Sequence, residues 1–135
     1  MEFNLIDKFT VTENELSKII VNACFQIHTE LGPGLFESVY EECLYYELLQ
    51  QGLMVERQKE LPVIYKGVKM EIGFRADLIV ERKVVIEIKS VEGIAPVHQK
   101  QVITYLRLTG LKLGLLINFN EAMIKTGIQR IVNGL

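Results

Sequence analysis

The sequence predicts an α/β fold in which helices cover a mixed β-sheet, formed by one domain of residues 1–135. Three observations support this class. Apolar residues recur at helical intervals early in the chain, then alternate with polar residues in its middle, and finally form a short apolar run after another helical segment. The predicted order is therefore two helices, three strands, a helix, a strand and a last edge strand. A chain of 135 residues is near the commonest domain size.

The first helix is predicted to begin after Thr12, because Thr12 and Glu15 have the spacing of a capping box. Its apolar stripe consists of Leu16, Ile19, Ile20, Ala23 and Ile27. Gly32 and Pro33 end it. Residues 1–11 have no clear period and are predicted to form a loose N-terminal arm.

The second helix is predicted from about Gly34 to Gln51–Gly52. Its apolar residues are expected to point inward, and they are Phe36, Val39, Tyr40, Cys43, Leu44 and Leu48. Cys24 and Cys43 lie within the two helical patterns and lack metal-ligand spacing, so free thiols in a reducing compartment are favoured over a disulfide.

Period-two patterns follow. Residues 53–65 predict a strand, and Pro62 indicates an edge or the end of regular pairing. Lys66-Gly67 predicts a hairpin turn, after which 68–80 predicts one long strand.

The remaining elements follow from turns and apolar runs. Polar residues 81–83 predict a turn, and 84–89 a third strand. Pro96 is typical of a helix start and precedes a helix over 97–108. The run LGLLINF, 113–119, predicts a buried strand, and 128–132 an edge strand.

Charged residues within the second and third strands predict a site. Glu87 and Lys89 share one face of their strand, while Val84, Ile86 and Ile88 occupy the other. Asp77 is predicted to point to the face of its strand opposite the apolar side chains of Phe74, Ala76 and Leu78. If the two strands pair across the turn, Asp77 and Glu87 converge into an oxygen site suited to Mg²⁺. The alternative is that these charges simply face solvent, although charges within an apolar strand are costly.

Two further features lie on helices. Gln101 and Tyr105 are four residues apart and share a helical face that could position a phosphate beside the strand site. The alternative is that Tyr105 fills the core. Glu37 lies in the first turn of the second helix, where an acid suits the helix dipole and can also reach towards a metal.

These residues together resemble a known family. Gly34, Glu37 and Tyr40 match the signature of the GxxExxY proteins, a branch of the PD-(D/E)XK nuclease superfamily. The similarity extends from about Glu13 to the C-terminus, through LPVIYKG, Arg75-Ala76-Asp77, Glu87-Ile88-Lys89, Gln101 to Tyr105 and GLLINF. Ala76 stands at the position of the proline in the superfamily's name. This difference removes no metal ligand, because proline is not one. The resemblance implies a restriction-endonuclease-like core with a mixed central sheet flanked by helices.

The resemblance also implies roles. Asp77, Glu87 and Glu37 resemble the metal ligands, and Lys89 the charge that holds a phosphate or the attacking water. Gln101 and Tyr105 resemble the motif on the nucleic-acid side. The expected activity is hydrolysis of phosphodiester bonds in nucleic acid, with Mg²⁺ or Mn²⁺ as the cofactor. DNA is favoured over RNA as the substrate, and the protein could form a homodimer.

Overall charge and hydropathy limit these expectations. The net charge is −2, whereas nucleic-acid-binding domains are usually basic, although fifteen Lys and Arg residues can gather on one face. The alternative function is therefore a catalytically silent nuclease fold that binds nucleic acid or protein. No apolar run is long enough to span a bilayer and the N-terminus lacks a secretory pattern, so a cytoplasmic protein is expected.

Overall fold

The computed structural model describes residues 11–71 and 73–135. The helices are α1 Glu13–Leu31, α2 Glu37–Gln50, α3 Pro96–Thr109 and α4 Ile124–Gly127. The strands are β1 Val55–Leu61, β2 Ile64–Tyr65, β3 Val68–Lys69, β4 Phe74–Val80, β5 Val84–Lys89, β6 Leu113–Asn118 and β7 Ile128–Val132. Of the predicted loose arm, residues 1–10 lie outside the described residues. Val11 is described, and it is buried, with its carbonyl accepting a hydrogen bond from Lys83 Nζ, so Val11 itself packs on the domain.

The main sheet has five strands in the order β1-β4-β5-β6-β7. Among the described strands of this sheet, β5 and β6 pair in parallel, and the other neighbouring pairs are antiparallel. Parallel neighbours need a crossover connection, which α3 supplies here. The mixed α/β fold with a central sheet flanked by helices is therefore confirmed, and β1 and β7 are its edges.

Two apolar layers hold the helices on the sheet. One layer joins α1 and α2 to the sheet through Leu78, Ile86, Leu115 and residues of both helices. The other joins α3 to the sheet through Ala76, Ile79, Val85, Val102 and Leu116, among others. Each fully buried aliphatic side chain contributes roughly 1.5–3 kcal/mol of transfer free energy, so the sheet is fixed from both faces.

The first two helices follow the sequence closely. The α1 capping box is present, with Glu15 N donating to Thr12 Oγ1 at 3.1 Å and Thr12 N to Glu15 Oε1 at 2.8 Å. The inward face predicted for α2 was wrong at two positions. Phe36 precedes the helix in an extended conformation and is 83% exposed, and Val39 is also exposed. The buried apolar residues of α2, Tyr40, Leu44 and Leu48, are spaced four apart, so the buried apolar stripe is narrower than the apolar pattern of the sequence.

Both predicted long strands are interrupted. β1 ends at Leu61, and the hairpin β2–β3 forms a separate two-stranded sheet. Its Lys66-Gly67 turn is confirmed, with φ of 51° and 77°, both positive as a tight hairpin turn requires. β4 begins only at Phe74, so the prediction of one strand over 68–80 was wrong, and its residue 72 lies outside the described residues. Gly73 passes close to β1, where an added Cβ would lie 2.3 Å from Leu61 O.

The C-terminal half agrees with the predictions in α3, β6 and β7. The turn at 81–83 is also present, with Glu81 and Arg82 at φ of 52° and 53°. The short helix α4, between β6 and β7, was not predicted. Among the described helices, none combines the length and apolarity needed to cross a bilayer.

Candidate active site

The antiparallel ladder between β4 and β5 is regular near the turn and stops at Asp77. Pairing runs from Val80↔Val84 to Leu78↔Ile86 and goes no further. Beyond it, side chains take over as acceptors: Asp77 N donates to Glu87 Oε1 at 3.2 Å, and Ile88 N donates to Asp77 Oδ2 at 2.8 Å. The two carboxylates therefore lie side by side where the backbones separate, as the hairpin predicted.

The break also changes which way β4 points its side chains. Phe74 and Ala76 pack in the α3 layer, whereas Leu78 packs in the layer of α1 and α2. The predicted single row of Phe74, Ala76 and Leu78 was therefore wrong. A strand keeps strict alternation only while it keeps its pleat, and β4 rotates at Asp77.

β5 keeps its predicted parity. Val84, Ile86 and Ile88 belong to the layer of α1 and α2. Glu87 and Lys89 share the opposite face, and Lys89 Nζ lies 3.9 Å from Glu87 Oε2. The ion pair is largely shielded from solvent, and Lys89 is the more exposed member.

Burial dominates the electrostatics of the carboxylate pair. Glu87 is 4% exposed, and its burial, followed by the charge of Asp77, raises its pKa to about 7, against the opposing effects of the Asp77 N–H and Lys89. Burial also raises the pKa of Asp77, and the Glu41 carboxylate adds to this while the Ile88 N–H opposes it. A buried and a half-buried carboxylate that resist ionisation together form a site where a cation would be favoured.

Glu37 reaches the same end of the sheet from α2. Its Oε2 accepts a hydrogen bond from Ser90 N at 3.2 Å, directly after β5. The charge of Glu37 also contributes to raising the pKa of Glu87. The structure thus brings Glu37 to the rim of the pair, held by the backbone of the segment that follows Lys89.

Tyr105 and Gln101 approach from α3. Tyr105 stacks on Phe74, with ring centroids 4.2 Å apart and planes 10° apart. Its pKa is raised to about 12 by burial and then by the charges of Glu87 and Asp77, while a hydrogen bond with Gln101 opposes the shift. Tyr105 therefore fills the α3 layer and also borders the carboxylates, and Gln101 is the exposed partner on the same helical face.

The donor set fits a lightly coordinated divalent cation. Within residues 11–71 and 73–135, no group of three His, Cys, Asp or Glu side chains is arranged to hold a metal. Asp77 and Glu87 offer two carboxylates, and Mg²⁺ is commonly held by one or two carboxylates with waters and substrate phosphates. The Asp77 and Glu87 carboxylates therefore suit a Mg²⁺ ion between them. The Glu37 carboxylate does not converge with them closely enough to form a third ligand of the same cluster.

Three site residues were not predicted. Glu41 lies one helical turn after Glu37, a spacing that could have indicated it, and it hydrogen-bonds Arg57 and Gln58. Gln58 has φ +48° within β1, which nothing in the sequence indicates.

Asn118 is the third. It is a fully buried polar residue that ends the apolar run of β6. Its Oδ1 accepts from Val91 N at 3.0 Å and its Nδ2 donates to Val91 O at 2.9 Å. Asn118 thereby holds the segment after Lys89, and its isolation among apolar residues was a usable signal.

One family model matches the chain. It describes the PD-(D/E)XK nuclease superfamily and covers residues 14–131, from α1 into β7. No curated protein and no solved structure matches the chain. The five-stranded mixed sheet with helices on both faces is consistent with that superfamily's fold. Because the match covers nearly the whole sequence, the chain belongs to the PD-(D/E)XK nuclease superfamily.

Proposed function

We propose that the protein is a metal-dependent nuclease that hydrolyses phosphodiester bonds of nucleic acid at the Asp77–Glu87 pair. The observation that carries the proposal is the break in the β4–β5 ladder. There, the buried Glu87 carboxylate, with a pKa of about 7, lies against the half-buried Asp77 and beside the ammonium of Lys89. A purely structural strand pair has no need of this costly arrangement.

Asp77 and Glu87 would hold the metal, proposed as Mg²⁺ or Mn²⁺, and Glu37 would complete the acidic rim, through a bound water for example. When bound, such an ion lowers the pKa of a coordinated water and stabilises charge on phosphoryl oxygens. The chain fixes both carboxylates in advance, since Asp77 and Glu87 each accept a backbone N–H. Because the two carboxylates are already oriented, little movement of these side chains would be needed during the reaction.

Lys89 would act as the cation at the reacting phosphate. Its ammonium is a compact charge on a flexible stem, and its 3.9 Å separation from Glu87 Oε2 leaves it free to turn towards a phosphate oxygen. Because Lys89 ends β5, it lies at the same end of the sheet as the start of β4, where the site opens. Gln101 would contact the substrate from α3, and Tyr105 would support it from the core.

The GxxExxY assignment is also a proposal, and its three signature residues have separate local functions. Gly34 adopts φ +98°, which lets the chain turn into α2. Tyr40 accepts a hydrogen bond from Leu35 N at 3.2 Å and donates to Gly32 O at 2.5 Å, which holds that turn. Glu37 then projects from the first residue of α2 towards Ser90. The three signature residues therefore support a role in which the turn before α2 positions the Glu37 carboxylate at the rim of the site.

The hairpin β2–β3 supports a nucleic-acid substrate. It emerges between β1 and β4 at the end of the sheet where Lys89 lies. Tyr65 is 60% exposed, and Lys66 and Lys69 are exposed beside it, with no acidic residue over 61–70. An exposed aromatic ring with two cations suits base stacking and phosphate contact.

A second candidate function is a catalytically silent binding module. The groove between α1 and α2 favours it, with a volume of about 890 Å³ and exposed Phe25, Leu31 and Tyr46 along its lining. None of the proposed site residues lines this groove. A protein that binds partners through the groove and cleaves no nucleic acid would fit that function.

Localisation in the cytoplasm is likewise a proposal. Cys24 is buried and Cys43 half-buried, and both are free thiols. Burial raises the pKa of Cys43, and the neighbouring Glu42 and Glu47 charges add to this. The raised pKa keeps Cys43 as the protonated thiol, which is less reactive than the thiolate. Thiols of this kind suit a reducing compartment.

The proposed function is tested with labelled single- and double-stranded DNA and RNA, each with Mg²⁺, Mn²⁺ or a chelator. We expect cleavage that the chelator abolishes and that Glu87→Ala or Lys89→Met lowers by about 100-fold or more. Lys125→Met, an exposed lysine on α4, is the matched control and should cleave like wild type. Cleavage that survives chelation or Glu87→Ala would overturn the proposal, and folded protein without any cleavage or metal binding would favour the binding module.

A further inference from the structure

We propose that Gln58 is a positioning residue, whose carboxamide holds the Asp77 carboxylate in the orientation needed to share a metal with Glu87. Gln58 Nε2 donates to Asp77 Oδ1 at 3.3 Å and to Glu41 Oε1 at 2.7 Å. A primary amide has two N–H donors, so both are used, and both acceptors are carboxylates. The inference rests on the proposed role of Asp77 as a metal ligand.

Glu41 is the anchor of this arrangement. It is 7% exposed, and its Oε2 accepts from Arg57 Nε at 3.2 Å and from Arg57 Nη2 at 3.1 Å. Arg57 thus compensates the buried charge, and the other oxygen, Oε1, is left for Gln58. Because Arg57 holds Glu41 from the next position along β1, the carboxamide is attached to a fixed point and not to a mobile surface acid.

The backbone of β1 is distorted at Gln58 in a way that serves this contact. Consecutive residues of a regular strand point to opposite faces, yet Arg57 and Gln58 both donate to Glu41. Gln58 achieves this with φ +48°, a left-handed conformation that is strained for a non-glycine residue. The flanking residues pair normally, Arg57 with Leu78 and Lys59 with Ala76, so the distortion is confined to Gln58.

The distortion of β1 lies opposite the break in β4. Regular pairs flank Asp77 on the β1 side, and Ile88 N reaches its second oxygen from the β5 side. The Asp77 carboxylate is therefore held at Oδ1 by a side chain of one neighbouring strand and at Oδ2 by the backbone of the other. Two bonds from opposite sides fix the plane of the group, whereas the Ile88 bond alone would let it rotate.

The test uses Gln58→Gly, which removes the carboxamide while glycine accepts the left-handed backbone without strain. Arg82→Gly is the matched control, because Arg82 is an exposed residue with φ +53° in the turn between β4 and β5, away from the carboxylates. Both variants should fold, because glycine accepts the positive φ at either position. By titration calorimetry, Gln58→Gly should bind Mg²⁺ about 10- to 100-fold more weakly than wild type, and Arg82→Gly should bind it equally well.

A second measurement needs no metal. The amide proton of Ile88 should exchange about 2- to 10-fold faster in Gln58→Gly than in wild type, the factor expected from weakening one hydrogen bond. If wild type bound no Mg²⁺ but Ile88 exchange accelerated as expected, the proposed function would fall and the positioning role would stand. If Gln58→Gly kept both the wild-type Mg²⁺ affinity and the wild-type Ile88 exchange, the positioning role would be overturned and the proposed function left intact.

Discussion

The two ends of the β4–β5 pair differ although the same two strands form both. Near the turn, Leu78 to Val80 pair regularly with Val84 to Ile86, and every side chain is apolar and buried. At the other end the ladder stops, and carboxylates accept the backbone N–H groups instead. The comparison teaches that the paired end stabilises the sheet, while the open end keeps polar groups available at a cost in stability.

The paired end should be the more sensitive to loss of volume. Ile86→Ala removes a fully buried side chain from the layer of α1 and α2, so we expect the free energy of unfolding to fall by about 2–5 kcal/mol. Urea denaturation with and without Mg²⁺ measures this, and the loss should be the same in both. A loss below about 1 kcal/mol would show that the two ends do not differ in this way.

The open end should respond in the opposite direction. The folded pKa of Glu87 is raised from 4.5 to about 7, so the stability associated with the protonated form is fully present below pH 4.5 and is lost as pH rises through about 7. Without metal, Glu87→Gln should therefore be more stable than wild type by up to roughly 3 kcal/mol at about pH 8, and by little at about pH 4. Denaturation at both pH values measures this, and a destabilised variant at the higher pH would contradict it.

A bound metal should reduce the contrast between the ends. At a Mg²⁺ concentration of 100 times its dissociation constant, wild type at about pH 8 should gain about 2.7 kcal/mol. Glu87→Gln, which lacks the ligand charge, should gain much less. Thermal melts across a Mg²⁺ series measure both, with Ca²⁺ as a test of selectivity, and equal gains in the two proteins would place the ion elsewhere.

The sequence was most informative where the chain is regular. β5 alternates without interruption, so the shared face of Glu87 and Lys89 followed from period two alone. α1 begins with a capping box whose two residues, Thr12 and Glu15, are three positions apart, and both of its hydrogen bonds form. These features depend on local spacing, which one sequence contains in full.

Prediction failed where distant backbones interact. The break of β4 at Asp77 depends on how β1 and β5 flank it, so the alternation drawn through Ala76 and Leu78 could not hold. Gln58 gave no signal, because glutamine has no preference for a positive φ and its partners Glu41 and Asp77 come from other elements. The proximity of Asp77 to Glu87 was predictable only because a short turn joins their strands.

The position of Asn118 affects the order in which the fold can assemble. Phe119 N donates to Lys89 O at 2.9 Å, and Asn118 holds Val91, so the end of β5 is tied to the end of β6 about thirty residues later in the chain. A nascent chain therefore carries Asp77, Glu87 and Lys89 before the segment that secures them has been synthesised. Contacts between such distant residues form late, because the entropy cost of closing the intervening loop must first be offset. Correct geometry at the carboxylates is thus coupled to completion of the sheet, and an incompletely folded chain would carry the acids without the arrangement that is proposed to bind a metal.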